Sequence, residues 1–217
     1  MNPAPDNLQD AIPRSISRED MAGLPIGRYE GRVCLVATPE DLEEARSDLR
    51  QESAVGFDTE TRPAFKKGES HLPCLVQAAT ARAVYLFQLR RVEVLPVVAE
   101  LLSEARSIKA GVSLRDDLRA LKKVFPFAEQ NMLDLGEVAR RSGFEQTGVR
   151  NLAGILLGFR IPKGTKTSNW AARELSAQQI AYAATDAWAC RELYLRFQSL
   201  GLPQAKAPAE SGAAREA

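Results

Sequence analysis

Asp58 and Glu60 stand two residues apart in Ala54-Val55-Gly56-Phe57-Asp58-Thr59-Glu60, behind four residues that carry no charge. The uncharged run reads as a short buried β-strand. Residues i and i+2 of an extended chain project from one face, so the two carboxylates share a side. Like charges placed together repel, and burying them costs several kcal/mol unless something positive lies between them. A divalent cation held by hard oxygen ligands is the simplest compensation. Read alone, the same residues also describe a strand end running into solvent.

Further acids bear on that choice. Ser176 and Gln179 form a capping box, with Leu175 and Ile180 as a hydrophobic staple, and start a helix expected from Ala177 to Ser199. Tyr182 and Asp186 follow one turn apart on a single face. Small residues beside them (Ala181, Ala183, Ala184, Ala187) let this helix approach a sheet closely. An aspartate next to a packed face needs a partner; Arg191 or an upstream lysine is the simple alternative. Earlier in the chain, Ser113 with Asp116 reads as another capping box. That leaves Asp117 explained only by the helix dipole, worth about 0.3–1 kcal/mol. Asp134, in Met132-Leu133-Asp134-Leu135, is read as structural.

The elements that must position these groups follow from pattern and punctuation. At 217 residues and 45% hydrophobic, the chain can bury one sizeable core. Strands are expected over 32–37, 54–57, 74–79, 83–87, 107–112 and 132–135, the third and fourth as an antiparallel pair. Helices are expected over 39–51, 93–102, 114–125, 135–141, 149–157 and 177–199, with Thr38 and Pro39 opening the first and Gly158 closing the fifth. Clustered strands followed by strands alternating with helices imply α/β with a mixed sheet covered by helices. The expected organisation is an irregular N-terminal arm over 1–30, one domain over 31–200, and a disordered tail over 201–217.

Composition removes several alternatives. The net charge of +1 requires any nucleic-acid partner to be held by a local patch. A single histidine, His71, leaves little for a Ser/His/Asp triad or a histidine-rich metal site. Three cysteines, odd in number and far apart, argue against a disulfide framework or zinc site and fit a reducing cytoplasm. Neither a secretory signal nor a membrane span is evident, so no membrane partner is expected.

Taken together, these stretches resemble the DEDD-type 3′-5′ exonucleases. Gly56-Phe57-Asp58-Thr59-Glu60 is similar to their first motif and Ala110 to Asp117 to the second. Tyr182-Ala183-Ala184-Thr185-Asp186 looks like the tyrosine form of the third. Leu75-Val76-Gln77, Ser168-Asn169-Trp170 and Leu175-Ser176 also fit, and the likeness extends over about Arg32 to Leu200. It is strongest to the RNase D catalytic domain and the Werner helicase exonuclease domain. The histidine of a sister subclass, five residues before the last aspartate, is here Ala181. Two features depart from the relatives: RNase D continues into a further helical domain, and the Werner domain has a tryptophan where this chain has Arg119.

The resemblance implies an RNase H-like fold, a mixed five- to six-stranded sheet flanked by helices, and hydrolysis from 3′ ends of single-stranded DNA or RNA. It implies two Mg²⁺ or Mn²⁺ ions on Asp58, Glu60, Asp117 and Asp186, with Tyr182 orienting the attacking water. Arg62, Lys66 and Lys67 after the first motif, and Lys163 and Lys166 before the third, are candidate phosphate contacts; solvated loop charges are the alternative. The competing reading of the whole chain is a non-catalytic nucleic-acid-binding module on the same fold. Neither oligomeric state nor the choice between DNA and RNA is legible.

Overall fold

Local chemistry starts most of the helices. Thr38 caps α2 (Pro39–Gln51) by accepting from the Asp41 amide, while the Asp41 carboxylate accepts from the Thr38 amide at 2.9 Å. Ser176 and Gln179 make the same reciprocal pair at the start of α7 (Ala177–Ser199). Each such cap is worth about 1 kcal/mol. The other helices are α1 (Arg18–Gly23), α3 (Leu95–Ser103), α4 (Leu114–Leu121), α5 (Leu135–Arg141) and α6 (Val149–Leu157). Gly158 ends α6 at φ 73°, a conformation that favours glycine. This computed structural model describes residues 12–64, 66, 68–163 and 168–202.

Among the described residues, six strands form one mixed sheet: β1 (Arg32–Leu35), β2 (Ala54–Thr61), β3 (Pro73–Ala79), β4 (Ala83–Gln88), β5 (Ile108–Gly111) and β6 (Met132–Asp134). Their order is β1-β4-β3-β2-β5-β6. The pairs β2–β3 and β3–β4 are antiparallel; β1–β4, β2–β5 and β5–β6 are parallel. Thus β2 lies inside the sheet and switches from an antiparallel to a parallel neighbour.

Strand alternation divides the core. Val55 and Phe57 of β2 pack with Val76, Tyr85 and Phe87 beneath α2, α3 and α4. On the opposite face Leu75, Ala79, Val84 and Leu86 meet Ala183, Ala184 and Ala187 of α7. Ala54 and Ala110 meet Cys190 and Leu193 there, joined by residues of α5 and α6. Asp58 and Glu60 continue the α7 side of β2.

One expected cap is corrected. Ser113 adopts the left-handed conformation at φ 62° and makes no side-chain cap. The Leu114 amide donates instead to Asp134 Oδ2 at 3.0 Å, and Asp116 pairs with Arg119 on the surface. Asp134 Oδ1 also accepts from the Gly136 amide at 2.9 Å, confirming its structural role at the start of α5.

Residues 12–30 run along the α6 side, with α1 in their middle. Ile16 exchanges hydrogen bonds with Gln146, and the Tyr29 amide donates to Thr185 Oγ1 at 3.1 Å. Arg160 is held by three bonds: its amide donates to Pro25, its carbonyl accepts from Gly27, and its Nε donates to Leu24. At the other end, Leu202 is buried against α7, so packing continues into the first residues of the expected tail; residues 203–217 lie outside those described. No helix among the described residues is long and apolar enough to cross a membrane.

Candidate active site

Backbone contact between β2 and α7 creates the site. A Cβ added at Gly56 would fall on the Ala187 carbonyl and lie 2.7 Å from the Arg191 amide. Only glycine lets the helix backbone rest on the strand there. Asp186, one residue before Ala187, is thereby brought over Asp58. The strand also runs further than its apolar run suggests: Asp58 and Glu60 are paired across from Gln77 and Leu75 of β3.

One carboxylate oxygen each from Asp58, Glu60 and Asp186 lies within 4.8 Å of the other two. Asp58 and Glu60 are half-buried, whereas Asp186 is 4% exposed. Burial, then the Asp186 and Glu60 charges, push the Asp58 carboxyl well above the usual range. Burial, followed by Asp186 and Asp117, raises Glu60 to about 8. Asp186 is also raised by burial, against the opposing influence of the Tyr182 hydroxyl and the Arg150 guanidinium. Such carboxylates favour protonation unless a cation enters among them.

Asp117 arrives from the other side of the sheet. It stands in the first turn of α4 beside Thr59, and burial raises its carboxyl. It lies outside the group of three, yet its charge is felt by both Asp58 and Glu60. Tyr182 is half-buried one turn before Asp186, and its ring meets Trp170 at 6.2 Å. Burial and the Asp186 charge push its hydroxyl further above the ordinary tyrosine range.

The donor set fits a hard divalent cation. Its ligands are all carboxylate oxygens, and Asp186 Oδ1 is buried with no hydrogen-bond partner among the described residues. An orphaned buried acceptor is costly, and a cation among the three acids would satisfy it.

The candidate phosphate contacts are less concentrated. Arg62, Lys66 and Lys163 are exposed on the loops after β2 and before α7, and none is ion-paired to a described residue. Lys67 and Lys166 lie outside the described residues. His71 lies 3.1 Å from Glu69 and is not one of the clustered residues.

Two neighbours of the site carry no local spacing that points to it. Gln77 sits opposite Asp58 on the same face of the sheet, fully buried, with neither amide atom hydrogen-bonded among the described residues. Arg150 of α6 is near enough to favour the Asp186 charge. Gln77 stood out only as part of a linking signature, and a polar residue inside an apolar strand was its signal. Arg150 carried a weaker one, a cation in the first turn of a helix.

The chain is similar to known proteins. Residues 33–201 match the model of a family described as 3′-5′ exonuclease. Ribonuclease D of Gluconacetobacter diazotrophicus is 34% identical over 183 residues, covering 82% of this chain and 44% of that protein. The bifunctional 3′-5′ exonuclease/ATP-dependent helicase WRN of Mus musculus is 30% identical over 188 residues, covering 84% of this chain and 13% of that protein. This chain therefore spans less than half the length of either relative. Ribonuclease D of Trypanosoma brucei, solved in complex with RNA U12, superposes with a TM-score of 0.66 at 21% identity, covering 82% of this chain and 65% of that one.

Proposed function

This chain belongs to the 3′-5′ exonuclease family, and from that premise we propose that it removes nucleotides from the 3′ ends of single-stranded nucleic acid. The carrying observation is the convergence of Asp58, Glu60 and Asp186 within 4.8 Å, with Tyr182 one turn from Asp186. In the reaction, water adds to the terminal phosphodiester phosphorus and the bond to the neighbouring 3′-oxygen breaks. That oxygen leaves with a proton on the shortened strand; the phosphate stays on the released nucleoside 5′-monophosphate.

Each side chain has a part that its surroundings support. Asp58, whose carboxylate lies within 4.8 Å of those of Glu60 and Asp186, would be a ligand common to two cations. Glu60 and Asp186 would help hold one of them, and Asp117 of α4 would serve the other, mainly through water. Two Mg²⁺ or Mn²⁺ ions would supply Lewis-acid activation of water and neutralise charge on the attacking and leaving oxygens. Tyr182 keeps its proton at neutral pH, because burial and Asp186 raise its pKa. It therefore orients the attacking water by hydrogen bond and does not act as a general base. Arg62, Lys66, Lys67, Lys163 and Lys166 are the proposed phosphate contacts along the strand.

A labelled single-stranded oligonucleotide tests this reading, with Mg²⁺ or Mn²⁺ and with chelator. Stepwise shortening from the 3′ end that stops on chelation is expected, while a 3′-blocked or circular strand stays intact. Cutting of the circle would make the chain an endonuclease; binding without cutting would make it a non-catalytic module. The RNA held by the solved ribonuclease D makes single-stranded RNA the first substrate to offer. Single-stranded DNA and a recessed duplex are the comparison arms.

A further inference from the structure

Arg150 occupies the first turn of α6, where the helix dipole disfavours a cation. The N-cap, Gly148, supplies no side-chain acceptor and the first turn holds no acid. The reason for an arginine must therefore lie in what surrounds it.

Its Nε donates to the Ile161 carbonyl at 3.1 Å, which tethers the guanidinium. Ile161 is itself buried with Ala153 of α6 and Ala189 of α7, so the tether is anchored in the core. Arg150 and Asp186 each lie three residues before the alanines of that cluster. Among the described residues, its two Nη groups make neither a hydrogen bond nor an ion pair, and they are not sealed from solvent. Val149, the residue before Arg150, packs against both Ala189 and the Cys190 and Leu193 stretch of α7, the helix that carries Asp186. A tethered cation with an open edge beside a carboxylate cluster is suited to an anion that approaches the same space.

We propose that Arg150 is a substrate-binding residue whose free Nη groups hold the phosphate of the 3′-terminal nucleotide. The guanidinium presents parallel donors that match two oxygens of a phosphate. Lys163, two residues beyond Ile161, is a second, exposed cation in the same stretch of chain. This assignment rests on the exonuclease reading. Because the terminal phosphate leaves on the nucleoside 5′-monophosphate, the product should use the same contact.

Arg150→Met and Arg150→Lys test it in three measurements on the full chain: turnover of a single-stranded oligonucleotide, binding of adenosine 5′-monophosphate with Mn²⁺ present, and binding of Mn²⁺ alone. A charged hydrogen-bond pair corresponds to about 10–100-fold. The Met variant should lose that factor in kcat/KM and about 10-fold in monophosphate affinity, and the Lys variant should recover part of both. Mn²⁺ affinity should hold or tighten, since a repelling charge has gone. Monophosphate affinity and kcat/KM within twofold of the unmodified chain would overturn the assignment. Loss of Mn²⁺ affinity in step with turnover would also overturn it, making Arg150 a positioning residue for Asp186. Should the Met variant fail to fold, the Lys variant decides: weakened monophosphate binding supports the two-donor contact and unchanged binding removes it. An unmodified chain that binds the monophosphate through Arg150 yet digests no strand would defeat the exonuclease reading and leave this site standing.

Discussion

Asp58 faces two other carboxylates from inside a paired strand, and that arrangement has a cost measurable without any substrate. Asn has nearly the same shape and no charge, so Asp58→Asn removes repulsion while keeping the packing. In metal-free protein at pH 8 the substitution should raise stability by roughly 1–3 kcal/mol, or about 3–10 °C in Tm for a chain of this size. The same variant should lose turnover by about 1,000-fold or more, as expected when charge stabilisation at the reacting centre goes. A lowered Tm in chelator would show that the three acids do not repel as described. Tyr182 carries a different expectation. Its raised pKa leaves the hydroxyl protonated at working pH, so Tyr182→Phe should lower kcat by about 10–100-fold and leave Mn²⁺ affinity in place. Should Tyr182→Phe lose the metal as badly as Asp186→Ala, the orienting role is wrong. Both residues were legible because their spacing is local: i, i+2 on a strand and i, i+4 on a helix. Arg150 and Gln77 were not, because their significance depends on partners brought up by the fold, Ile161 and Asp186 for one and Asp58 for the other.

Contact between elements decides whether those side chains meet at all, and Gly56 is where β2 and α7 touch. A methyl at Gly56 meets backbone atoms of α7, which cannot rotate away as a side chain would. Gly56→Ala should cost about 1–3 kcal/mol by overpacking, seen as a Tm lower by about 3–10 °C. It should also cut turnover more than a surface substitution of equal stability cost, because Asp186 moves with the helix. A Gly56→Ala protein with unchanged Tm and turnover would mean that α7 has room the geometry does not show. The elements themselves divide by how local their causes are. Thr38 with Pro39 and Ser176 with Gln179 carry their instructions within four residues, and α2 and α7 run over the spans expected from them. The Ser113 start could not be read this way: its first amide is satisfied by Asp134, twenty residues later in sequence. The end of β2 was hidden for a related reason. Asp58 and Glu60 look like a strand running into water, and only the small-residue face of α7 explains their burial. The packing of residues 12–30 along α6 was equally hidden, because Arg160 and Gln146 are their hydrogen-bond partners only after folding.

For the molecule as a whole, the acid cluster couples folding, pH and metal. Glu60 rises from 4.5 to about 8 on folding, and Asp58 and Asp186 rise as well. Below the unfolded pKa of 4.5 the Glu60 carboxyl is protonated in both states and pH has no leverage through it. Between 4.5 and about 8 the folded chain holds a proton that the unfolded chain has released, so stability falls as pH rises. Above about 8 both states are ionised and the penalty is fully present. Allowing for water at the half-exposed edge, the loss in metal-free protein is on the order of 1–3 kcal/mol between pH 5 and pH 8. Bound Mn²⁺ should reverse the sign of the problem, because the ionised carboxylates then have a partner that binds only the folded state. Thermal unfolding in chelator should therefore give a Tm that declines across pH 5–8. With Mn²⁺ in millimolar excess the curve should level or rise, the gap between the two widening toward pH 8. A metal-free Tm that stays flat or climbs from pH 5 to pH 8 would mean that these carboxylates are stabilised by partners other than a metal. The cluster would then be a structural feature of the fold, and the proposed catalysis would lose its centre.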